Sequence, residues 1–355
     1  MATDPLKAIS GVLEEAENTT KSGMFLVKTA NQTVDDARKR PDPVSLWHGL
    51  WYEGEVCCLF ADSNLGKSIL AVQMADEIAR TRRVLYIDCE LSDKQFQLRY
   101  TSEDGTSTHT FPQGFLRAEI DPMFMMPKNA EELMLQHIEE TAEKMGCDTV
   151  MVDNIGYLCN NAEKGQDAGT FMMKLLKLKQ QYAWSILIIA HTPKRHAWAP
   201  ITQNDLAGSK KLFNYFDSVF AIGLSSKDEN FRFVKQLKVR YGGFSYGAGS
   251  VMVFELSKED DMVRFNFLYT EPEKNHLSEP DDNDIIQRDM RVVELHKQGL
   301  NYRDIAAQVG ISKSMVGKII AKAEQSTTAS TVDSVDKVDK VDDGGQNLFE
   351  NQESE

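Results

Sequence analysis

The 355-residue sequence has only five cysteines, Cys57, Cys58, Cys89, Cys147 and Cys159, and no CxxC pair among them. That spacing favours small core residues kept as thiols over a metal or redox site. Basic charge is also short: 40 Lys and Arg stand against 54 Asp and Glu, a formal net charge of -14. A chain that coats nucleic acid along its whole length needs a general excess of cations, so any phosphate-backbone contact must be local. No run approaches the roughly 20 apolar residues that span a bilayer, and the opening MATDPLKAISGVLEEAENTT is broken by acids. Neither secretion nor membrane insertion is expected, and a cytoplasmic setting is. What is present is an ordinary globular balance, 41% hydrophobic and 26% charged, enough for one large domain and a small second one.

Residues 1–45 read as a leader with one short helix or strand, ending at Pro41-Asp42-Pro43. From 46 to 270 short β-rich runs alternate with helical stretches, the signature of an α/β domain with a mostly parallel central sheet. The strands are expected at Val56–Phe60, Val84–Cys89, Gly114–Ile120, Thr149–Val152, Ser185–Ala190 and Ser218–Ile222, and several are apolar throughout, as doubly covered strands must be. Helices are expected near Lys67–Arg80, Ser92–Tyr100, Ala130–Met145, Ala168–Gln181 and Asp205–Tyr215, with antiparallel strands at Phe231–Lys238, Ser250–Leu256 and Met262–Tyr269 closing the domain. Residues 271–284, EPEKNHLSEPDDND, read as a solvated acidic linker. A helical unit spans 285–324, and the charged tail 325–355, with its repeated VDSVDKVDKVDD, is expected to be disordered.

The most specific motif is Ala61-Asp62-Ser63-Asn64-Leu65-Gly66-Lys67-Ser68, with Ile69 next, lying between the first core strand and an amphipathic helix. In a P-loop the backbone amides wrap the phosphates of ATP, the Lys reaches the outer phosphates, the hydroxyl ligates Mg²⁺, and the helix N-terminus adds its dipole. Gly66, Lys67 and Ser68 hold those positions; Ala61 replaces the usual first glycine, which is tolerable only where φ is negative. Asp153 closes the strand Thr149–Val152 as the Walker B acid that holds the metal through water. Glu90, following the strand Val84–Cys89 at its C-terminal edge, is the candidate for orienting the attacking water, with Asp88 as the alternative.

These residues resemble the RecA-like hexameric ATPases, especially DnaB-type replicative helicases and RepA-like plasmid helicases, over roughly residues 50–246. Three features carry the likeness: ADSNLGKS; ELSDKQFQLR, with Glu90 and Arg99 at the spacing of the family's catalytic glutamate segment; and KVRYG, similar to its K-x-R-x-G element. The resemblance implies a homo-oligomer, a hexamer in that family, in which Lys238 and Arg240 reach a neighbour's γ-phosphate, where an inserted cation offsets developing charge. An exposed charged strand would carry the same two residues. The resemblance also makes His191 a γ-phosphate sensor and Arg99 part of the nucleotide site. It turns the loop holding Lys194 and Arg195 toward a pore that holds single-stranded DNA.

The stretch DMRVVELHKQGLNYRDIAAQVGISKSMVGKIIAKA resembles a helix-turn-helix, its third helix capped by Ser312. Met315, Val316, Ile319 and Ile320 are expected inside, and Lys313, Ser314 and Lys318 outside, facing duplex DNA. A helical bundle that contacts protein is the other reading. Together the expectation is a Mg-ATP-hydrolysing DNA motor, a helicase or helicase-like replication protein of a mobile element. Its rivals are an ATP-regulated DNA-binding regulator and a non-enzymatic module with a degraded phosphate site.

Overall fold

The computed structural model describes residues 20–332 apart from 122, 124–129, 155, 157–166, 194, 207–209, 260, 280–281, 310 and 312. A hairpin, β1 (Thr20–Ser22) and β2 (Phe25–Val27), and helix α1 (Ala30–Arg38) come first, where a single element was expected. A second hairpin, β3 (Ser45–Trp47) and β4 (Trp51–Tyr52), follows. The core then runs β5 (Val56–Ala61), α2 (Lys67–Ile78), β6 (Val84–Asp88), α3 (Asp93–Arg99), β7 (Phe115–Glu119), α4 (Ala130–Met145), β8 (Thr149–Asp153), α5 (Asp167–Tyr182) and β9 (Ser185–His191). It continues through α6 (Lys210–Tyr215), β10 (Ser218–Leu224), β11 (Phe231–Lys238), β12 (Val251–Glu259) and β13 (Met262–Glu271).

These strands build one nine-stranded sheet in the order β13-β12-β11-β10-β5-β9-β8-β6-β7. The strands from β10 to β7 in that order are mutually parallel. The remaining three add antiparallel at one end. The alternation within β5 shows why: Val56, Cys58 and Phe60 enter one apolar layer with α4 and α5, while Cys57, Leu59 and Ala61 enter the other with α2. With both faces covered, the strand can be apolar throughout, as its sequence is. The sheet order steps from β5 over β9 to β8, so the C-terminal ends of the central strands border one crevice, the ligand position of open α/β sheets.

The start of the expected linker is not solvated. Glu273 and His276, in a short 3-10 turn, are buried, and Glu273 pairs with buried Lys235 at 2.5 Å while accepting from the Ile201 amide. Composition misled because an acid with a buried cation to meet can enter a core. Helices α7 (Asp282–Lys297), α8 (Tyr302–Val309) and α9 (Lys313–Val332) then close on a small core of Val292, Leu295, Ile305, Val316, Ile319 and Ile320. Helix α9 continues eight residues past 324 into the expected tail, there being no Gly or Pro to stop it. Residues 333–355 lie outside the described residues.

Candidate nucleotide site

The phosphate loop leaves β5 at Ala61, which is buried and extended, so its methyl group meets no φ penalty. The left-handed positions fall instead at Asn64, with φ 64°, and Gly66, with φ 93°. A Cβ on Gly66 would also stand 3.0 Å from the Phe265 ring, so glycine is required here twice over. Gly66 begins α2 without any side-chain cap, so the first amides of this helix are left for another acceptor. The Lys67 ammonium donates to the carbonyls of Ala61 at 3.0 Å and Asp62 at 2.9 Å, folded back over its own loop. Burial pushes its pKa down, opposed by Asp153, Glu90 and Asp62 nearby. Ser63 and Asn64 are exposed on the loop, and Asp62, Leu65, Ser68 and Ile69 are half-buried.

Asp153 ends β8 on the face that carries α2. It accepts from the Tyr86 hydroxyl at 2.7 Å, and the Ser68 side chain lies close by. Burial pushes its carboxyl pKa up, with Ser68 and Tyr86 working against that. A hydroxyl and a carboxylate converging beside uncapped helix amides form a hard-oxygen set that fits Mg²⁺ completed by water and phosphate oxygens. Neutralising the buried carboxylate is the electrostatic gain such a cation offers.

Asn154 was not foreseen. Its side-chain amide donates to Glu90 Oε1 and lies 2.8 Å from His191 Nε2, while His191 Nε2 stands 3.5 Å from Glu90 Oε1. Thus the second residue after β6, the residue after β8 and the last residue of β9 meet in one cluster. A polar residue immediately after the Walker B acid was the signal available for it. Asp88, by contrast, is occupied: Oδ1 accepts from the Glu90 and Leu91 amides and Oδ2 from Arg117 Nε. It shapes the turn that carries Glu90, with both of its oxygens engaged. Arg99, in the last turn of α3, interacts with the Tyr100 hydroxyl.

Lys238 and Arg240 are not brought to this cluster. Lys238 pairs with Val219 in the ladder and its ammonium caps the Phe213 and Asn214 carbonyls at 3.1 and 3.0 Å. Arg240 donates to Asp217 Oδ1 at 2.9 Å, and Asp217 Oδ2 accepts from the Val56 amide, where β5 begins. The phosphate loop starts where β5 ends, about 17 Å along the strand at ~3.3 Å per residue.

Of the expected DNA-contacting residues, Lys194 lies outside the described residues, as does Ser312, the expected cap of the third helix. Arg195 donates to the Ala199 carbonyl and its charge acts on Asp62 of the phosphate loop. Lys313, Ser314 and Lys318 are exposed on α9, and Met315, expected inside, is 40% exposed.

Residues 26–197 match the family model described as AAA domain, a family of P-loop ATPases. The match takes in Ala61–Ser68, Glu90, Asp153, Asn154 and His191, and stops before Lys238, Arg240 and the three C-terminal helices. No curated protein sequence matches the chain. Fold, loop geometry and match agree that this segment is a nucleotide-binding domain of the P-loop ATPase class. Among the described residues no helix is long and apolar enough to cross a membrane.

Proposed function

We propose that this P-loop ATPase hydrolyses Mg-ATP as a homo-oligomer in the cytoplasm and couples turnover to work on DNA, as a helicase or helicase-like replication protein of a mobile element. The observation that carries the ATPase chemistry is the convergence of Lys67, Ser68, Glu90, Asp153, Asn154 and His191 at one edge of the sheet. The α2 amides bind phosphate oxygens, and Lys67 exchanges its two loop carbonyls for the outer phosphates. Ser68 and Asp153 would hold the magnesium ion, which would supply positive charge against that developing on the phosphates. Glu90 orients the attacking water and accepts its proton, and Asn154 ties the Glu90 carboxylate to His191, the group placed to respond to the γ-phosphate.

The oligomeric part of the reading is supported by Lys238 and Arg240. Near the start of β5, a strand's length from their own phosphate loop, they are not placed to serve their own nucleotide, as cations supplied to a neighbour's site would not be. Action on DNA is supported by Arg195 beside the phosphate loop, with Lys194 before it, and by Lys313, Ser314 and Lys318 exposed on the last helix of a unit resembling a helix-turn-helix. Single strands would then pass the core and duplex would meet the C-terminal unit.

That C-terminal unit has its own core and lies beyond the matched segment, which favours one second reading, an ATP-regulated DNA-binding regulator. ATPase rate with and without oligonucleotide, oligomer mass, and strand displacement on a forked duplex separate the two. Unwinding that is absent in Lys67→Ala supports the motor; DNA-stimulated turnover without unwinding supports the regulator; no ATP turnover rejects both.

A further inference from the structure

We infer that Arg117, on the edge strand β7, is the positioning residue that sets the place of Glu90, acting through Asp88; the inference rests on Glu90 being the hydrolytic base. The sheet register alone would give Asp88 a poor neighbour. Asp88 stands opposite Glu119, a second carboxylate, and Arg117 stands opposite Tyr86. The guanidinium reaches diagonally along the sheet instead, and Nε donates to Asp88 Oδ2 at 3.0 Å. Its other arms reach further: Nη1 donates to Asp93 Oδ1 and Nη2 to the Leu91 carbonyl, with Nη2 also 3.4 Å from Glu119 Oε2 on its own strand. The guanidinium carbon lies 4.9 Å over the Phe96 ring, which fixes its plane.

One guanidinium therefore holds residues 88, 91 and 93, which bracket residue 90 on both sides. The other oxygen of Asp88 accepts from the amides of Glu90 and Leu91 at 3.1 and 2.9 Å, so the same carboxylate that grips Arg117 also grips the backbone under the base. Both partners are shielded, with side-chain exposures of 3% for Asp88 and 15% for Arg117. In such a setting three directed bonds from a planar fork give geometry as well as attraction. Without Arg117, buried Asp88 would face Glu119 with no counter-charge, and the turn would relax away from their repulsion. The Glu90 carboxylate would then leave the Asn154–His191 cluster, and a displacement of about 1 Å at a reacting group costs on the order of a hundredfold in rate.

The test is steady-state ATP hydrolysis by the full chain with Arg117→Ala, Arg117→Lys, Asp88→Asn and the double variant Asp88→Asn/Arg117→Ala, with Glu90→Gln as reference. Arg117→Ala is expected to lose roughly 10- to 100-fold in kcat while KM and nucleotide affinity stay within about twofold. Arg117→Lys should recover part of the loss, since an ammonium can meet Asp88 but cannot hold three acceptors at fixed angles. The double variant should be no slower than the worse single one, because both remove the same brace. Hydrogen exchange gives a readout independent of turnover: the Glu90 and Leu91 amides should exchange faster in Arg117→Ala, with the phosphate loop unchanged. Full kcat in Arg117→Ala, or a fall in kcat matched by loss of nucleotide affinity, overturns the inference. If Arg117→Ala does not fold, Arg117→Lys decides, and wild-type kcat with unchanged exchange at Glu90 overturns it. Inactive Glu90→Gln beside fully active Arg117→Ala would sink the brace alone; fully active Glu90→Gln would sink the assignment of Glu90 and the brace with it.

Discussion

Single residues decide the chemistry here by where they close their strands. Asn154, His191 and Glu90 are each unremarkable polar residues in sequence; at the ends of adjacent strands they become one hydrogen-bonded group. Asn154→Ala is expected to leave ATP affinity within about twofold and to lower kcat by roughly tenfold, since it frees the base without removing it, the loss corresponding to one hydrogen bond to a charged group. Paired measurement of nucleotide Kd and kcat checks this; equal loss in both would give Asn154 a role in folding the site instead. Gly66→Ala is expected to abolish nucleotide binding, because the methyl meets both a positive φ and the Phe265 ring. Equilibrium binding of a fluorescent nucleotide reads it directly.

Among the elements, the β12–β13 hairpin matters more than its distance in sequence suggests. The Gln73 side chain, on α2, accepts from the Phe265 amide at 2.8 Å and donates to the Phe265 carbonyl at 3.3 Å, closing a two-bond latch. Phe265 is thereby pressed onto Gly66, and the helix that would carry the phosphates is held from a strand almost two hundred residues away. Gln73→Ala leaves an amide and a carbonyl without their partner, and should destabilise the domain by ~1–3 kcal/mol, measured by urea unfolding. Such an element could not be found in the local pattern. The alternation of residues 262–269 marks a strand, but which helix it meets depends on three antiparallel strands adding beyond β10.

For the whole molecule, Arg240 tests the assembly. Arg240→Ala should keep nucleotide binding and lose turnover by on the order of a thousandfold, the range for an arginine supplied in trans. Mixing it with Lys67→Ala protein should restore some activity, since each supplies what the other lacks across a shared interface; no restoration would argue against a shared site. The region around residues 271–276 is expected to make the fold sensitive to acid. Burial lowers the His276 pKa from its ordinary 6.5, although Glu271, 2.9 Å away, opposes the shift and Lys227 adds to it. Glu271 is itself held below its ordinary 4.5, chiefly by Lys227. Both groups bind fewer protons folded than unfolded, so stability is full above about pH 6.5 and falls as the solution is acidified. The limiting slope is ~1.4 kcal/mol per pH unit for each proton. Unfolding midpoints between pH 7 and 5 should decline in the wild type and decline less in His276→Gln.

The order of elements, the phosphate loop and the strand-ending Asp153 were legible in the chain because they depend on local rules: period two in strands, Gly-Lys-Ser at a helix start, an acid where an apolar run stops. The expected helix at Ala130–Met145 and strand at Phe231–Lys238 have those bounds in the structure. What only the tertiary structure decided is which side chains face one another across strands distant in sequence. Asp88 is spent on Arg117, Asn154 bridges Glu90 and His191, Glu273 is drawn inside by Lys235, and Arg240 is set a strand's length from its own nucleotide loop. The reason is that a strand's own residues state its two faces but not its neighbours; sheet order and register supply those, and they are settled by the packing of the entire domain.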